Sequence, residues 1–164
     1  MSARRQQGGS LLEALLVLIL VLIFISVASA RIMELRQMAE RTGVQSTIAA
    51  IQSALGLQMA ILVLQQGMEG LGRLDRSNPM LLLEPAPVNY QGLLERPPAE
   101  PVAGSWYFDP QGQELVYRLR FPAQLDGDPL SPGLMRWQLQ VSYQGEMVEQ
   151  VRLVPLYTYR WVDG

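Results

Sequence analysis

The chain begins with a long apolar stretch and continues with segments in which apolar and polar positions alternate regularly. Residues 11–30 contain one ionisable side chain, Glu13. A helix of about 20 residues is roughly 30 Å long, which matches the hydrocarbon core of a bilayer. This stretch therefore predicts a membrane-spanning helix over residues 9–30.

Beyond Arg31 the apolar positions recur every three or four residues, as on one face of a helix. They are Val44, Ile48, Ile51, Leu55, Met59 and Leu62. No strong helix breaker precedes Gly67, so the pattern predicts one helix from about Gly9 to Gln66, roughly 87 Å long. We assign residues 31–72 to this amphipathic continuation. Its apolar face requires a partner, either a sheet or a second helix in a coiled coil.

Residues 73–103 are rich in proline, which excludes a continuing helix or a central strand. A connecting loop is predicted here. Its apolar residues, Leu81 to Leu83, Tyr90 and the pair Leu93 and Leu94, are candidates to fasten it to a core.

From residue 104 the apolar period changes to two, which is typical of strands. Two strands, over residues 105–109 and 114–121, flank a turn that contains Pro110 and Gly112. Two more, over residues 135–143 and 147–154, flank Gly145. The alternate aromatic residues at 157, 159 and 161 could form a further edge strand or an exposed contact patch, and core packing is the favoured interpretation. The predicted fold is α+β, with the long helix packed on an antiparallel sheet of about four strands in residues 104–164.

Composition narrows the possible functions. The chain has 164 residues, a formal net charge of −2, and neither cysteine nor histidine. Zinc sites of the usual kind, Ser/His triads and Cys/His dyads are therefore excluded, and nucleic acid is a poor partner for a chain without a basic patch. We predict no catalytic residues, metal or cofactor. Asp126 and Asp128 could supply oxygens to calcium, but a polar turn is the simpler interpretation.

The stretch from Arg4 to Glu13, RRQQGGSLLE, resembles the prepilin cleavage motif of type IV pilins and type II secretion pseudopilins. In that family a short basic leader ends in glycine, and a glutamate is the fifth residue of the mature chain. Gly8 takes the glycine position, Gly9 becomes the first mature residue and Glu13 the fifth. Position one is usually phenylalanine or methionine, and the proline often found in the family's anchor helix is missing here. Residues 104–109 and 115–118 also look like minor pilins of the mannose-sensitive haemagglutinin pilus.

The resemblance implies a structural role. Residues 1–8 would be a leader removed by prepilin peptidase, and the new amine at Gly9 would be methylated. Glu13 would set the register against neighbouring pilin-like subunits as an inner-membrane platform adds the chain to a filament. Arg4 and Arg5 predict a cytoplasmic N-terminus and a periplasmic sheet domain. The host system could be a pilus, a type II secretion system or a DNA-uptake machine.

A different interpretation remains open. The residues Ala28, Ser29 and Ala30 fit the small-residue rule of signal peptidase, with Arg31 as the first mature residue. The chain would then be a secreted periplasmic binding or adaptor module, or a singly anchored one if no cleavage occurs.

Overall fold

One helix runs through the first part of the chain, as the hydrophobic pattern predicts. In this computed structural model, which describes residues 7–94 and 101–162, helix α1 extends over Gln7–Gln66. The chain divides into two compact units, one ending at Ala39 and the other beginning at Glu40. The first unit contains the apolar stretch, and the second contains the rest of α1 with the sheet.

Among the described residues, seven strands follow the helix. Two short 3₁₀ helices, over Met68–Leu74 and Pro79–Leu82, precede the first strand, and a third, over Pro122–Gln124, lies between the third and fourth strands. The strands are β1 (Tyr90–Leu93), β2 (Ser105–Asp109), β3 (Glu114–Arg118), β4 (Leu125–Asp126), β5 (Leu134–Gln144), β6 (Met147–Pro155) and β7 (Arg160–Trp161).

Five strands form one mixed sheet in the order β1-β2-β3-β5-β6, and β4 pairs with β7 in a small second sheet. The pairs β2–β3, β3–β5 and β5–β6 are antiparallel, which gives the predicted meander of four strands. The α+β prediction is thus confirmed.

The fifth strand, β1, was not predicted, and it runs parallel to β2. It lies inside the proline-rich segment, between Pro87 and the prolines of residues 97–98, where nine consecutive residues contain no proline. The amide N–H of Trp106 donates to the carbonyl of Asn89 at 3.0 Å, and that of Leu94 to the carbonyl of Phe108 at 3.0 Å. Four residues are enough to extend a sheet but too few to produce a clear period in the sequence.

The predicted apolar stripe of α1 packs on the sheet. Val44, Ile51, Leu55 and Leu62 are buried, and Ile48 and Met59 pack partly buried against the same core. The sheet contributes a row of aromatic rings in which Trp106 lies 4.7 Å from Tyr117 and 5.4 Å from Trp137, measured between ring centroids. Such tilted pairs contribute about 0.5–1.5 kcal/mol beyond the area that they bury.

The second face of the sheet differs from the expectation. In the sequence, Val116, Arg118 and Arg120 alternate with Leu115, Tyr117 and Leu119, which predicts one buried face and one mainly solvated face. In the structure, however, Val116 and its cross-strand neighbour Tyr107 are buried. On this face Arg136 is half-buried and forms an ion pair of 3.3 Å with Glu114. A strand that is buried on both faces does not follow the simple alternation on which the expectation rested.

Candidate functional site

The predicted cleavage site lies at the start of helix α1. The helix begins at Gln7, so Gly8 and Gly9 fall in its first turn. The basic leader residues Arg4 and Arg5 lie outside the described residues. Two adjacent glycines weaken a helix by about 1 kcal/mol each relative to alanine, so this turn is the least costly part of α1 to open.

Glu13 lies one turn after Gly9 on α1, and its side chain is exposed. It borders a shallow depression on the helix surface together with Ala14, Val17, Leu18 and Val21. Among the described residues Glu13 has neither a hydrogen bond nor an ion pair. A single carboxylate therefore stands at the beginning of an apolar helix face, available to a cation from outside the described part of the chain.

The helix surface that follows Glu13 is apolar on all sides up to Ile25. All side chains from Leu11 to Val27 are exposed, and the best 18-residue window has a mean hydropathy of 3.0. Leu11 and Phe24 each expose 75% of their side chains. By length and composition this helix can cross a membrane. A soluble helix that is apolar all round is normally buried, so this part of α1 needs lipid or other helices around it.

The alternative cleavage site lies in the middle of α1. Ala28 and Ser29 are helical, and the helix continues for more than thirty residues beyond them, to Gln66. Cleavage after residue 30 would therefore divide α1 in its interior. Just beyond it, Arg31 forms an exposed ion pair of 3.0 Å with Glu34, of the kind that contributes about 0–1 kcal/mol.

A buried carboxylate that the sequence analysis missed joins the helix to the sheet. Glu40 is 9% exposed, and its Oε1 accepts hydrogen bonds from the Tyr117 hydroxyl at 2.9 Å and from the Arg120 amide N–H at 2.8 Å. Its Oε2 is buried without a hydrogen-bond partner among the described residues. Burial, together with the Glu40 carboxylate, raises the pKa of the Tyr117 phenol. The sequence contained one indication that Glu40 is buried, because it lies four residues before Val44 and therefore on the same helix face as the apolar stripe.

The remaining candidate chemistry is accounted for by local contacts. Asp126 forms an ion pair of 2.7 Å with Arg160, and Asp128 accepts a hydrogen bond from the Leu130 amide N–H at 2.9 Å, as in a polar turn. The sequence also contains two spaced pairs of carboxylates that could suggest acid–base chemistry, but Glu146 and Glu149 are both exposed to solvent, and Glu95 and Glu100 lie outside the described residues. Within residues 7–94 and 101–162, no group of three or more acidic residues is placed to hold a metal ion.

Comparison of this chain with protein-family models, with curated proteins and with solved structures found no match. What can be said of its class therefore rests on its own residues. The chain is an α+β protein with one N-terminal helix that is long and apolar enough to span a membrane.

Proposed function

We propose that this chain is a structural subunit of a filament of the type IV pilin-like class, either a minor pilin or a type II secretion pseudopilin. One observation carries the proposal. The exposed, apolar part of α1 from Leu11 to Val27 carries one carboxylate, Glu13, which has no ion pair among the described residues and lies four residues after Gly9 at the predicted cleavage site.

The energetics of Glu13 support this role. A carboxylate in the apolar part of a bilayer costs about 2.5–3.5 kcal/mol on insertion scales, so one is retained there only for a function. Cleavage between Gly8 and Gly9 by prepilin peptidase creates an ammonium group, and a buried carboxylate becomes tolerable when such a cation pairs with it. A pair between the Glu13 of one subunit and the Gly9 amine of the next fixes the register between the two helices.

The proposed cellular location follows from the basic residues before α1 and from α1 itself. Arg4 and Arg5 hold the N-terminus in the cytoplasm, α1 crosses the bacterial inner membrane once, and the sheet domain lies in the periplasm. The assembly platform then transfers α1 from lipid into a bundle of like helices. This exchanges one apolar environment for another, so packing and the Glu13 pair, rather than hydrophobicity, determine the position of each subunit.

The test is the incorporation of Glu13→Ala into filaments, with Glu34→Ala as the matched control on the same helix. Both variants should be cleaved normally by prepilin peptidase. Glu13→Ala should reach the sheared filament fraction at roughly one tenth of the wild-type level or less, a ratio equivalent to about 1.4 kcal/mol. Glu34→Ala should match the wild type, because its partner Arg31 is exposed. Equal incorporation of Glu13→Ala and the wild type would refute the register role.

A further inference from the structure

Strand β6 forms one edge of the five-stranded sheet and has a neighbouring strand on one side only. The strand order β1-β2-β3-β5-β6 places it last, and among the described strands it pairs with β5 alone. A strand in this position presents backbone N–H and C=O groups that can pair with a further strand. The sheet can therefore be extended at the free edge of β6.

The hydrogen-bond pattern shows which backbone groups of β6 point to this free edge. The Leu156 N–H donates to the Arg136 carbonyl at 2.9 Å. In an antiparallel ladder, residue pairs that exchange hydrogen bonds alternate with pairs that do not. Counted back along β6 from Leu156, every second residue is bonded to β5, and the residues between them include Val151 and Leu153. The N–H and C=O groups of Val151 and Leu153 therefore point away from the sheet.

A groove between α1 and β6 adjoins these outward groups. It has a volume of about 460 Å³, and its lining consists of Gln52, Leu55, Gly56, Met59 and residues 151–154. β6 is the only described strand that lines it, so the groove lies toward the free edge and not over the middle of the sheet. A Cβ placed on Gly56 would meet no atom within 4 Å, whereas Leu55 and Leu153 are buried. The groove is thus apolar at its base and open above Gly56.

The stretch of β6 that is free to pair carries one charged side chain. Arg152 is exposed, and among the described residues it has neither a hydrogen bond nor an ion pair. It is also the only charged residue in the lining of the groove. Glu149 is exposed as well, but it lies where the register between β5 and β6 shifts, and Pro155 at the other end has no N–H. A regular added strand is therefore limited to residues 150–154, whose charge is positive.

The position of Arg152 disfavours pairing of two copies of the chain through β6. The antiparallel register that uses both outward residues, Val151 and Leu153, of each copy places Arg152 opposite Arg152. Like charges directly opposite each other destabilise a strand pair, whereas opposite charges stabilise it. The edge is therefore complementary to an acidic segment of a different protein.

We propose that the groove between α1 and β6 binds an extended segment of a partner protein, which pairs with β6 as an additional strand. The segment has an acidic residue opposite Arg152 and one aliphatic residue on each side of it. These two residues lie opposite Val151 and Leu153, exchange hydrogen bonds with them, and place their side chains on the α1 side of the sheet, above Gly56. In this mode of recognition, main-chain hydrogen bonds supply affinity and alternate side chains supply specificity. The groove belongs to the second unit, and the proposal does not rest on the membrane role of α1.

The test measures binding of a fluorescein-labelled peptide, Thr-Ser-Val-Glu-Val-Ser-Thr, to the full chain in detergent by fluorescence anisotropy. We expect saturable binding to the wild type. Arg152→Glu should weaken this binding at least about fivefold and should favour the same peptide with lysine in place of glutamate. A peptide with N-methyl groups on both valine amides should not bind, because it cannot donate hydrogen bonds to β6.

A second pair of variants tests whether the groove itself is the binding site. Gly56→Trp fills the groove at a point where a Cβ meets no atom, and tryptophan is a better helix former than glycine. Gly43→Trp is the matched control, because a Cβ there also meets no atom within 4 Å and Gly43 does not line the groove. Both variants should keep the circular dichroism spectrum of the wild type. Gly56→Trp should abolish peptide binding, and Gly43→Trp should retain it within about twofold.

Four results would overturn the proposal. The first is no saturable binding to the wild type at peptide concentrations up to about 1 mM. The second is equal binding of the glutamate and lysine peptides, which would remove the role of Arg152. The third is equal binding by Gly56→Trp and Gly43→Trp, which would place the peptide elsewhere. The fourth is self-association of the wild type that Gly56→Trp abolishes, which would assign the groove to a second copy of the chain.

Discussion

Glu40 is an acidic residue at a position where the helix face otherwise carries valine, isoleucine and leucine. An aliphatic side chain would pack there without a desolvation penalty, whereas a buried carboxylate needs donors. Tyr117 and Arg120 supply two of them, both to Oε1. Hydrogen bonds to a charged group contribute about 1.5–3 kcal/mol, and they also require a defined geometry. Glu40 therefore fixes the position of α1 along the sheet, which an apolar contact would specify less sharply.

This contact predicts the effect of removing one hydroxyl group. Tyr117→Phe leaves Glu40 buried with one donor fewer, and we expect it to lower the free energy of unfolding by about 1–3 kcal/mol. The matched control is Tyr143→Phe, since Tyr143 is exposed and its substitution should change stability by no more than about 0.5 kcal/mol. The measurement is chemical denaturation of the full chain in detergent. Equal losses in the two variants would show that the Glu40 contact contributes nothing to stability.

At the scale of the secondary-structure element, helix α1 combines two kinds of surface. From Leu11 to Val27 it is exposed and apolar all round, whereas from Val44 to Leu62 one face is buried in the core. In the second part Leu57 and Leu64, which lie on the side away from the stripe, stay exposed. The apolar residues of α1 that stabilise the fold are therefore those buried against the sheet, and not every apolar residue of the helix.

A pair of substitutions on this helix tests that distinction. Ile51 is fully buried and Leu57 is 67% exposed. Ile51→Ala should lower the free energy of unfolding by about 2–5 kcal/mol through lost burial and a residual cavity. Leu57→Ala should change it by about 0.5 kcal/mol or less. Both variants are measured by the same chemical denaturation. A similar loss of unfolding free energy in the two would mean that α1 does not pack on the sheet through the described stripe.

The elements that sequence could predict are those with enough residues to show a period. The stripe of α1 and the strands β5 and β6 were predicted in this way. The observed bounds, Leu134–Gln144 and Met147–Pro155, differ from the predicted ones by no more than one residue at any end. β4 and β7 have two residues each, and β1 has four. The pairing of β1 and β4 depends on tertiary neighbours that no local pattern encodes, whereas the alternate aromatic residues at 157, 159 and 161 did suggest an edge strand where β7 lies. The Glu40 contact escaped prediction for the same reason, because Tyr117 lies 77 residues away in the chain.

At the scale of the whole molecule, two buried tyrosines, Tyr107 and Tyr117, and the partly buried Tyr159 make the folded state sensitive to alkali. Burial raises the pKa of Tyr107 and of Tyr117, and it raises the pKa of Tyr159 to about 12. A raised pKa in the folded state means that the neutral phenol is favoured by folding. Its contribution to stability is complete below the unfolded value of 10 and is lost as the pH rises through the folded value.

We therefore expect the denaturant concentration at the unfolding midpoint to decrease as the pH rises from about 10 to about 12. Tyr159→Phe removes one of the titrating groups, so the fall should become less steep in that variant. The Tyr159 hydroxyl also accepts a hydrogen bond from the Arg136 amide N–H at 2.7 Å, so the variant should be less stable at neutral pH as well. A midpoint with the same slope in the variant and the wild type would show that Tyr159 does not contribute to the alkaline transition.

The assignment of the chain to pilin-like filament subunits depends on where its mature form begins. The residues that carry this assignment are few, namely Gly8, Gly9 and Glu13, and the sheet domain would suit an adaptor module equally well. Each of the three possible N-termini corresponds to one class of protein. Cleavage by prepilin peptidase begins the chain at Gly9, cleavage by signal peptidase begins it at Arg31, and an uncleaved anchor keeps Met1.

The most direct test is N-terminal sequencing and intact mass of the chain isolated from cells that contain a prepilin peptidase, compared with cells that lack it. We predict a mature chain that begins at Gly9, with or without the mass of one methyl group, and a chain that retains residues 1–8 when the peptidase is absent. A mature chain that begins at Arg31, or one that keeps Met1 in both strains, would contradict the account.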